Sequence, residues 1–402
     1  MKKSASGTRL YQAAVMLFWF SQYTYVPHLS AYLKDLGASL TLIGIVTGSY
    51  GFTQMLARIP LGILSDRIGK RKLFVCLGIF LSFAANMLFL LVRSDFLLVT
   101  ARGTAGLGAA SWVIITVLFS SYFPAEETTQ AISRLSAVNN LGRLLGMLIA
   151  GAALAVFSGY SSMFAIGAAS AALAFILSLF IQEKIPENRT PMTLKGFVSV
   201  IRDRRLLCMA CAMLIGQLYI AGMVTGFTPL LATGLGASSF LRSILSVTDI
   251  AMGLIGALLA GRAGSDGAGE KKYLFCSAAA LSILTVCIAF SPNLPVLFVL
   301  QALAGLFSGI LTALTMSLAI RHFPGDRRST AMGCYQAIYG IGMFVGPILV
   351  GRCSDLFGMK SGYFLVAAIL LLIIPLSAAW AREELQSSKR KKKERADGCG
   401  IV

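Results

Sequence analysis

One register runs through both halves of this chain. Ser65-Asp66, Gly69, Lys72 and Cys76 recur as Ser265-Asp266, Gly269, Lys272 and Cys276. The same shift of two hundred positions carries Phe123-Pro124, Ala131, Gly142, Gly146, Gly151 and Phe157 onto Phe323-Pro324, Ala331, Gly342, Gly346, Gly351 and Phe357. A shift held at so many Gly, Pro and charged positions marks a duplicated unit. The chain is therefore expected to fold as two similar units with a site held between them.

Composition sets the solvent for those units. With 56% apolar and 13% charged residues and a mean hydropathy of +0.77, 402 residues do not make a water-soluble domain. Apolar runs long enough to cross about 30 Å of hydrocarbon, at about 20 residues each, lie near residues 10–33, 40–64, 73–92, 96–119, 131–157 and 161–182. Six more follow near 206–232, 240–261, 273–291, 295–320, 330–352 and 361–381. The runs are continuous, without the short alternating segments of a membrane barrel, so the expectation is an all-α membrane protein of twelve spans.

Lys and Arg prefer cytoplasmic loops, and here they gather on alternate loops: Arg67, Lys70, Arg71 and Lys72; Lys184 to Arg205; Lys271 and Lys272; Arg321, Arg327 and Arg328. The opposite loops offer Lys34, Arg93 and Lys360. Both termini are thus expected in the cytoplasm of a multi-pass cell-membrane protein, and much of the net charge of +18 is topology. Charges scattered over separate loops do not form a nucleic-acid face. The expected organisation is an N-terminal bundle over 1–182, a cytoplasmic linker over 183–205 with a short amphipathic helix from Thr193 to Ile201, a C-terminal bundle over 206–382, and a basic tail over 383–402 resting on anionic lipid. The run after Arg9 is too long for a cleaved leader. Cys208 and Cys211 have no His or second Cys pair nearby, so no metal, disulfide or other cofactor is implied.

Between the second and third spans stands Gly62-Ile63-Leu64-Ser65-Asp66-Arg67-Ile68-Gly69-Lys70-Arg71-Lys72. This segment resembles the loop signature of the major facilitator superfamily. The resemblance extends to Arg102-Gly103-Thr104-Ala105-Gly106-Leu107-Gly108-Ala109-Ala110 in the fourth span. It implies two six-helix bundles that rock about a central site, a small-molecule substrate, a monomer, and a latch in which Gly62, Asp66, Arg67 and Gly69 clasp the eleventh helix, near Ser329. The second copy keeps Asp266 but has Arg262 at the first glycine position. The fifth span, Gly142 to Gly151, resembles the glycine motif of proton-coupled drug antiporters, with Met147 where that motif has proline.

A proton-driven carrier needs a titratable group that changes its exposure. Asp249 is the one acidic residue expected near the bilayer midplane; Arg143 lies at similar depth on the fifth span, and Arg102 on the fourth is matched by Gln301 on the tenth. An ion pair between Asp249 and Arg143 is expected, with Arg102 as competitor, serving either coupling or static neutralisation. His28, after Pro27, suits a proton relay or a hydrogen bond at the outer mouth. Trp19, Gln22 and Tyr23, Gln217 and Tyr219, and Tyr335, Gln336 and Tyr339 are the expected cavity lining. Without a phosphate-binding loop, paired acids or H-E-x-x-H, ATP-driven transport and enzymatic catalysis are set aside. The expected function is secondary transport of a small organic solute, as proton-coupled efflux, with uptake of a sugar, organic acid or siderophore-like nutrient as the alternative.

Overall fold

The computed structural model describes residues 2–124, 127–157, 159–183, 200, 202–261, 268–323 and 325–384. The expected linker helix, apart from Val200, and the basic tail beyond Glu384 lie outside these residues, as does Asp266. Among the described residues the regular structure is helical throughout.

The helices are α1 (Lys2–Tyr23), α2 (Leu40–Ile68), α3 (Arg71–Leu91), α4 (Asp95–Ser120), α5 (Thr128–Val156) and α6 (Ser161–Leu179). The second set is α7 (Arg204–Gly234), α8 (Ser239–Ala260), α9 (Ala268–Ala289), α10 (Leu294–Ile320), α11 (Gly325–Phe357) and α12 (Met359–Glu384). Eleven of them are long and apolar enough to cross a membrane. The twelfth expected span, α1, is long enough at 22 residues but less apolar than the eleven, and beyond it Pro27 breaks the rod into a tight turn at Val26–His28 and a short helix Leu29–Asp35. The equivalent position of α7 opens into a π-helix at Ile220–Phe227 before Pro229. Both halves thus interrupt their first helix at matching depth. α11 starts at Gly325, several residues ahead of the sequence expectation.

Short polar caps set the helix starts. The Ser39 hydroxyl accepts from the Leu42 N–H at 3.1 Å, and the Asn293 side chain accepts from the Val296 N–H at 3.1 Å. At the end of α2, Gly69 adopts φ 69° and donates its N–H to Ser65, a left-handed cap that a side chain would strain.

The repeated glycines do the same work twice. Gly142 and Gly146 bring α5 against the backbone of α1 at Met16 and Phe20, while Gly342 and Gly346 bring α11 against α7 at Leu214 and Leu218. Gly151 meets α8 at Ser239 and Ser243, and Gly351 meets α2 at Leu40 and Thr41. The first pair of contacts builds each half, and the second joins the halves.

One seam is closer than its counterpart. On α2, Gly44, Gly48 and Gly51 lie against Pro347, Phe344 and Met343 of α11; the shifted positions on α8 are Ile244, Thr248 and Ala251. The stripe continues one turn at a time through Met55, which meets Gly340, to Gly62 and Gly333, and there it ends: nothing lies within 4 Å of where a Cβ would stand on either glycine. The halves are zipped from the Gly37 end to mid-membrane and part toward the basic end that carries Lys70 to Lys72.

Core packing repeats this. One buried cluster runs across both halves, joining Tyr25, Leu29 and Leu33 to Met209, Leu218 and Phe227. The second, with Tyr11, Phe74, Ile115 and Phe119, stays within the N-terminal half. Hydrogen bonds between halves among the described residues follow the same division: His28 to Ser243, Ser30 to Gly226, Leu40 and Thr41 to Asp355, and, farthest toward the basic end, Arg58 to Tyr339.

Candidate functional site

Where the halves part, a cavity of about 310 Å³ lies between them. α1, α2, α4 and α5 line one wall, and α7, α8 and α11 the other. The interrupted stretch of α7 faces it through Ile220, Ala221, Val224 and Thr225. π-bulges recur at functional sites because they turn backbone and side chains out of the regular ladder.

Among the described residues Asp249 is the one carboxylate in the lining. It is 8% exposed, and its Oδ1 accepts a hydrogen bond from Gln301 Nε2 at 2.7 Å. The approach of α8 to α10 at this level depends on Gly305, whose missing Cβ would collide with the Asp249 backbone.

Three arginines face the same space, and each is held by tyrosine. Arg102 stacks on Tyr50 at 4.3 Å and on Tyr25 at 5.3 Å, and donates to the Tyr25 hydroxyl at 3.0 Å. Arg143 stacks on Tyr23 at 4.3 Å and reaches Asn140 Oδ1 at 3.4 Å. Arg58 donates to the Tyr339 hydroxyl at 3.1 Å. Ring faces stabilise a guanidinium by about 0.5–2 kcal/mol without cancelling its charge. The ion pair expected between Asp249 and Arg143 is not made: both line the cavity, but among the described residues no salt bridge joins them. Nor does Arg102 reach the carboxylate. Tyrosines of the N-terminal half hold Arg102 and Arg143 on that wall, Tyr339 of α11 holds Arg58 across the seam, and Gln301 holds the carboxylate on the C-terminal wall.

Trp19, Gln22, Tyr23, Gln217, Gln336 and Tyr339 line the cavity as the sequence suggested. Tyr219 and Tyr335 do not; both are fully buried, and Tyr335 bonds Thr315 Oγ1 at 2.9 Å. Helical spacing placed them on the packing face. Gln301 stands behind Asp249 rather than on the wall. His28 is buried at the closed seam, with Nε2 3.0 Å from Ser243 Oγ, away from the cavity.

Sequence reasoning missed Thr47, Tyr50, Gln54 and Arg58 on α2, Trp112 on α4 and Asn139 on α5. The α2 set had a signal, since polar residues at steps of three and four mark one wet face of an apolar helix. At the latch segment, Arg67 is part of the last turn of α2 and Gly69 is the cap, while Asp66 stands one turn before that cap. Asp355 of α11 caps α2. No cluster of metal-ligating side chains occurs among the described residues.

The family profile of the Major Facilitator Superfamily matches residues 13–266 and 220–401. Among curated proteins, the Quinolone resistance protein NorA of Staphylococcus aureus (strain MRSA252) is 24% identical over 380 residues, covering 87% of this chain and 91% of the relative. The Inner membrane transport protein YajR of Escherichia coli (strain K12) is 25% identical over 356 residues, covering 87% and 77%. Among solved structures, the nucleoside transporter NupG superposes with TM-score 0.75 at 16% identity, over 93% of this chain and 98% of the other. A bacterial homolog of the human lysosomal transporter Spinster, inward-facing and unoccupied, superposes with TM-score 0.77 at 14% identity, over 95% and 98%. With two helical halves zipped at one end around a polar cavity, this chain belongs to the major facilitator superfamily and is a multi-pass membrane transporter.

Proposed function

We propose that the protein moves a small organic solute by alternating access, coupled to protons through Asp249, with its basic end and both termini in the cytoplasm. The observation that carries this reading is Asp249 itself, among the described residues the single carboxylate on the cavity wall and without an ion-pair partner, at a depth the sequence puts near mid-membrane. A carboxylate so placed changes its exposure when the halves rock, which is what a coupled proton site requires. In this orientation the glycine seam closes the outer side and the cavity opens to the cytoplasm. The Gly62 to Gly69 segment then acts in the other half of the cycle, when Gly62 and Gly333 come together and Asp66 reaches the start of α11.

Export in exchange for protons is supported by the quinolone resistance relatives, which cover nine-tenths of their own length at 24–25% identity. Cotransport is the second reading, favoured by the three arginines that share the cavity with Asp249.

Proteoliposomes with an internal pH dye separate the modes. A panel of lipophilic cations, sugars and organic acids is added outside an acid interior. Antiport makes the interior more alkaline, cotransport makes it more acid, and the sign does not depend on how the protein is inserted. Asp249→Asn is expected to abolish either response while leaving solute exchange between equal pools. A proton response that survives Asp249→Asn, or solute flux with no proton movement, removes Asp249 from coupling.

A further inference from the structure

We propose that the cavity binds an organic anion: an oxyanion group, such as a carboxylate, held between Arg58, Arg102 and Arg143, with a flat apolar body against Trp19 and Trp112. This rests on the carrier reading above and names the substrate class of the same site.

The charge count leads the argument. Among the described residues, three arginines against one carboxylate leave the lining two charges positive when Asp249 is ionised. The arginines come from three helices of the N-terminal half, α2, α4 and α5, and line one cavity, with Arg58 reaching Tyr339 of α11, so their fields add within it. Ring stacking fixes their direction and leaves the charge intact.

Unfilled donors point the same way. The Nε–H of Arg58, of Arg102 and of Arg143 lacks an acceptor, and so does the Nε1–H of Trp19. Arg102 is 4% exposed and Trp19 7%. Buried donors are normally satisfied; beside these four stand two unfilled acceptors, Gln22 Oε1 and Asn139 Oδ1, and the Thr47 hydroxyl, so the donors are in excess and favour an acceptor-rich guest. Guanidinium is also the group whose planar fork matches carboxylate and other oxyanions.

The body of the guest follows from the remaining wall. Trp19 and Trp112 meet edge to face at 5.5 Å, beside Tyr50, Met147 and Ile220. A volume near 310 Å³ suits a compact molecule. A lipophilic cation would meet the same rings, but with two net positive charges opposing it.

The sign of coupling is fixed by linkage. Protonating Asp249 removes the one negative charge that competes with the guest, so proton and anion strengthen each other's binding. Of the two coupling modes above, this selects cotransport.

Binding to the purified protein in detergent tests the class without requiring flux. Trp19 and Trp112 are two of three tryptophans, and the third, Trp380, is buried away from the cavity beneath Arg321. Their quenching is followed with matched probes: 4-nitrobenzoate, 4-nitrobenzamide and 4-nitrobenzylammonium, and the corresponding acids, amides and ammonium salts on naphthyl and indole bodies. At least one acid is expected to quench saturably and at least tenfold more tightly than its amide. Arg58→Gln and Arg143→Gln should each weaken it about fivefold or more, Arg58→Lys less, and Asp249→Asn should tighten it severalfold. An unchanged Trp emission maximum and elution volume identify the folded variants, and Arg58→Gln is the decisive one because Arg58 sits at the opening end of the seam. Ammonium probes that bind as well as the acids, no saturable acid, or acid binding indifferent to the arginines would each overturn the proposal. Anion binding without a proton response in liposomes retires proton coupling alone; a proton response to cations only retires this inference alone.

Discussion

Asp355, at the far end of α11, caps the first turn of α2 through Thr41, accepting its backbone N–H at 2.7 Å and its hydroxyl at 2.5 Å, with the Leu40 N–H at 3.0 Å. The first amides of a helix have no partner within it, so these two depend on a residue more than three hundred positions away in the other half. Asp355→Ala is expected to speed deuterium exchange in the peptide spanning Leu40 to Gly44 severalfold in detergent or nanodiscs, with α5 and α8 unaffected. Unchanged exchange there would mean that water satisfies both amides and that the clasp adds nothing to closure.

A second prediction concerns acid. Asp203, at the start of α7, accepts from the Arg205 and Leu206 N–H groups at 2.9 and 3.0 Å and stands 3.1 Å from His322 Nε2. Burial raises its carboxyl, but His322, the Leu206 amide and Arg205 outweigh burial and bring it down to about 2. A carboxylate depressed in the folded state contributes stability above its unfolded value near 4 and loses it as pH falls toward 2. After discounting for partial exposure this is roughly 1–2 kcal/mol. Asp203→Asn keeps an N-cap but not the charge, so the melting-temperature gap from wild type is expected to be full at pH 5–7 and to narrow below pH 4. A gap constant from pH 7 to pH 3 would assign the whole effect to capping.

How much of this was legible beforehand differs by kind of residue. The shift between Gly142 and Gly342, or Gly151 and Gly351, encoded the two-fold architecture directly, because close helix approach needs a missing Cβ at the same depth in each copy. Depth along a helix is likewise readable, which is why Asp249, Arg143 and Arg102 fall into one cavity. Rotation about the helix axis is not readable from one residue. Arg143 and Asp249 share a level but are turned to Tyr23 and Gln301, and Tyr335 points into packing while Gln336 and Tyr339 face the cavity. Arg58 was hidden for another reason: four residues before Gly62, it sits beside a segment already rich in basic residues.

The closed seam predicts its own weak point. A side chain at Gly48 would land on the Phe344 carbonyl, where α11 has no room to move because Pro347 and Gly351 are already seated on α2. Overpacking of a tight interface costs about 1–3 kcal/mol. Gly48→Val is expected to lower the melting temperature clearly. Thr248→Val puts the same side chain at the shifted position of α8, where a residue of that size already stands, and should change it little. Equal effects at the two sites would show that the seams are not asymmetric.

Gly62 lies on the same stripe as Gly48 and yet meets nothing in this state, and this separates stability from cycling. Gly62→Ala removes backbone freedom from the unfolded chain and raises helix propensity, a gain of about 0.5–1 kcal/mol where there is space. The melting temperature of the protein at rest is therefore expected to hold or rise. If the α2 and α11 stripes close on each other in the opposite state, as Gly62 facing Gly333 suggests, the added methyl obstructs that closure, and net transport in proteoliposomes should fall at least tenfold in a protein that is no less stable. The same substitution at Gly333 should reproduce the loss, since either methyl occupies the one gap. Full transport by both variants would mean that the two glycines never meet and that the loop signature serves topology alone. A fall in transport accompanied by a fall in melting temperature would instead place Gly62 in a contact already made in this state, contrary to the open space seen around it.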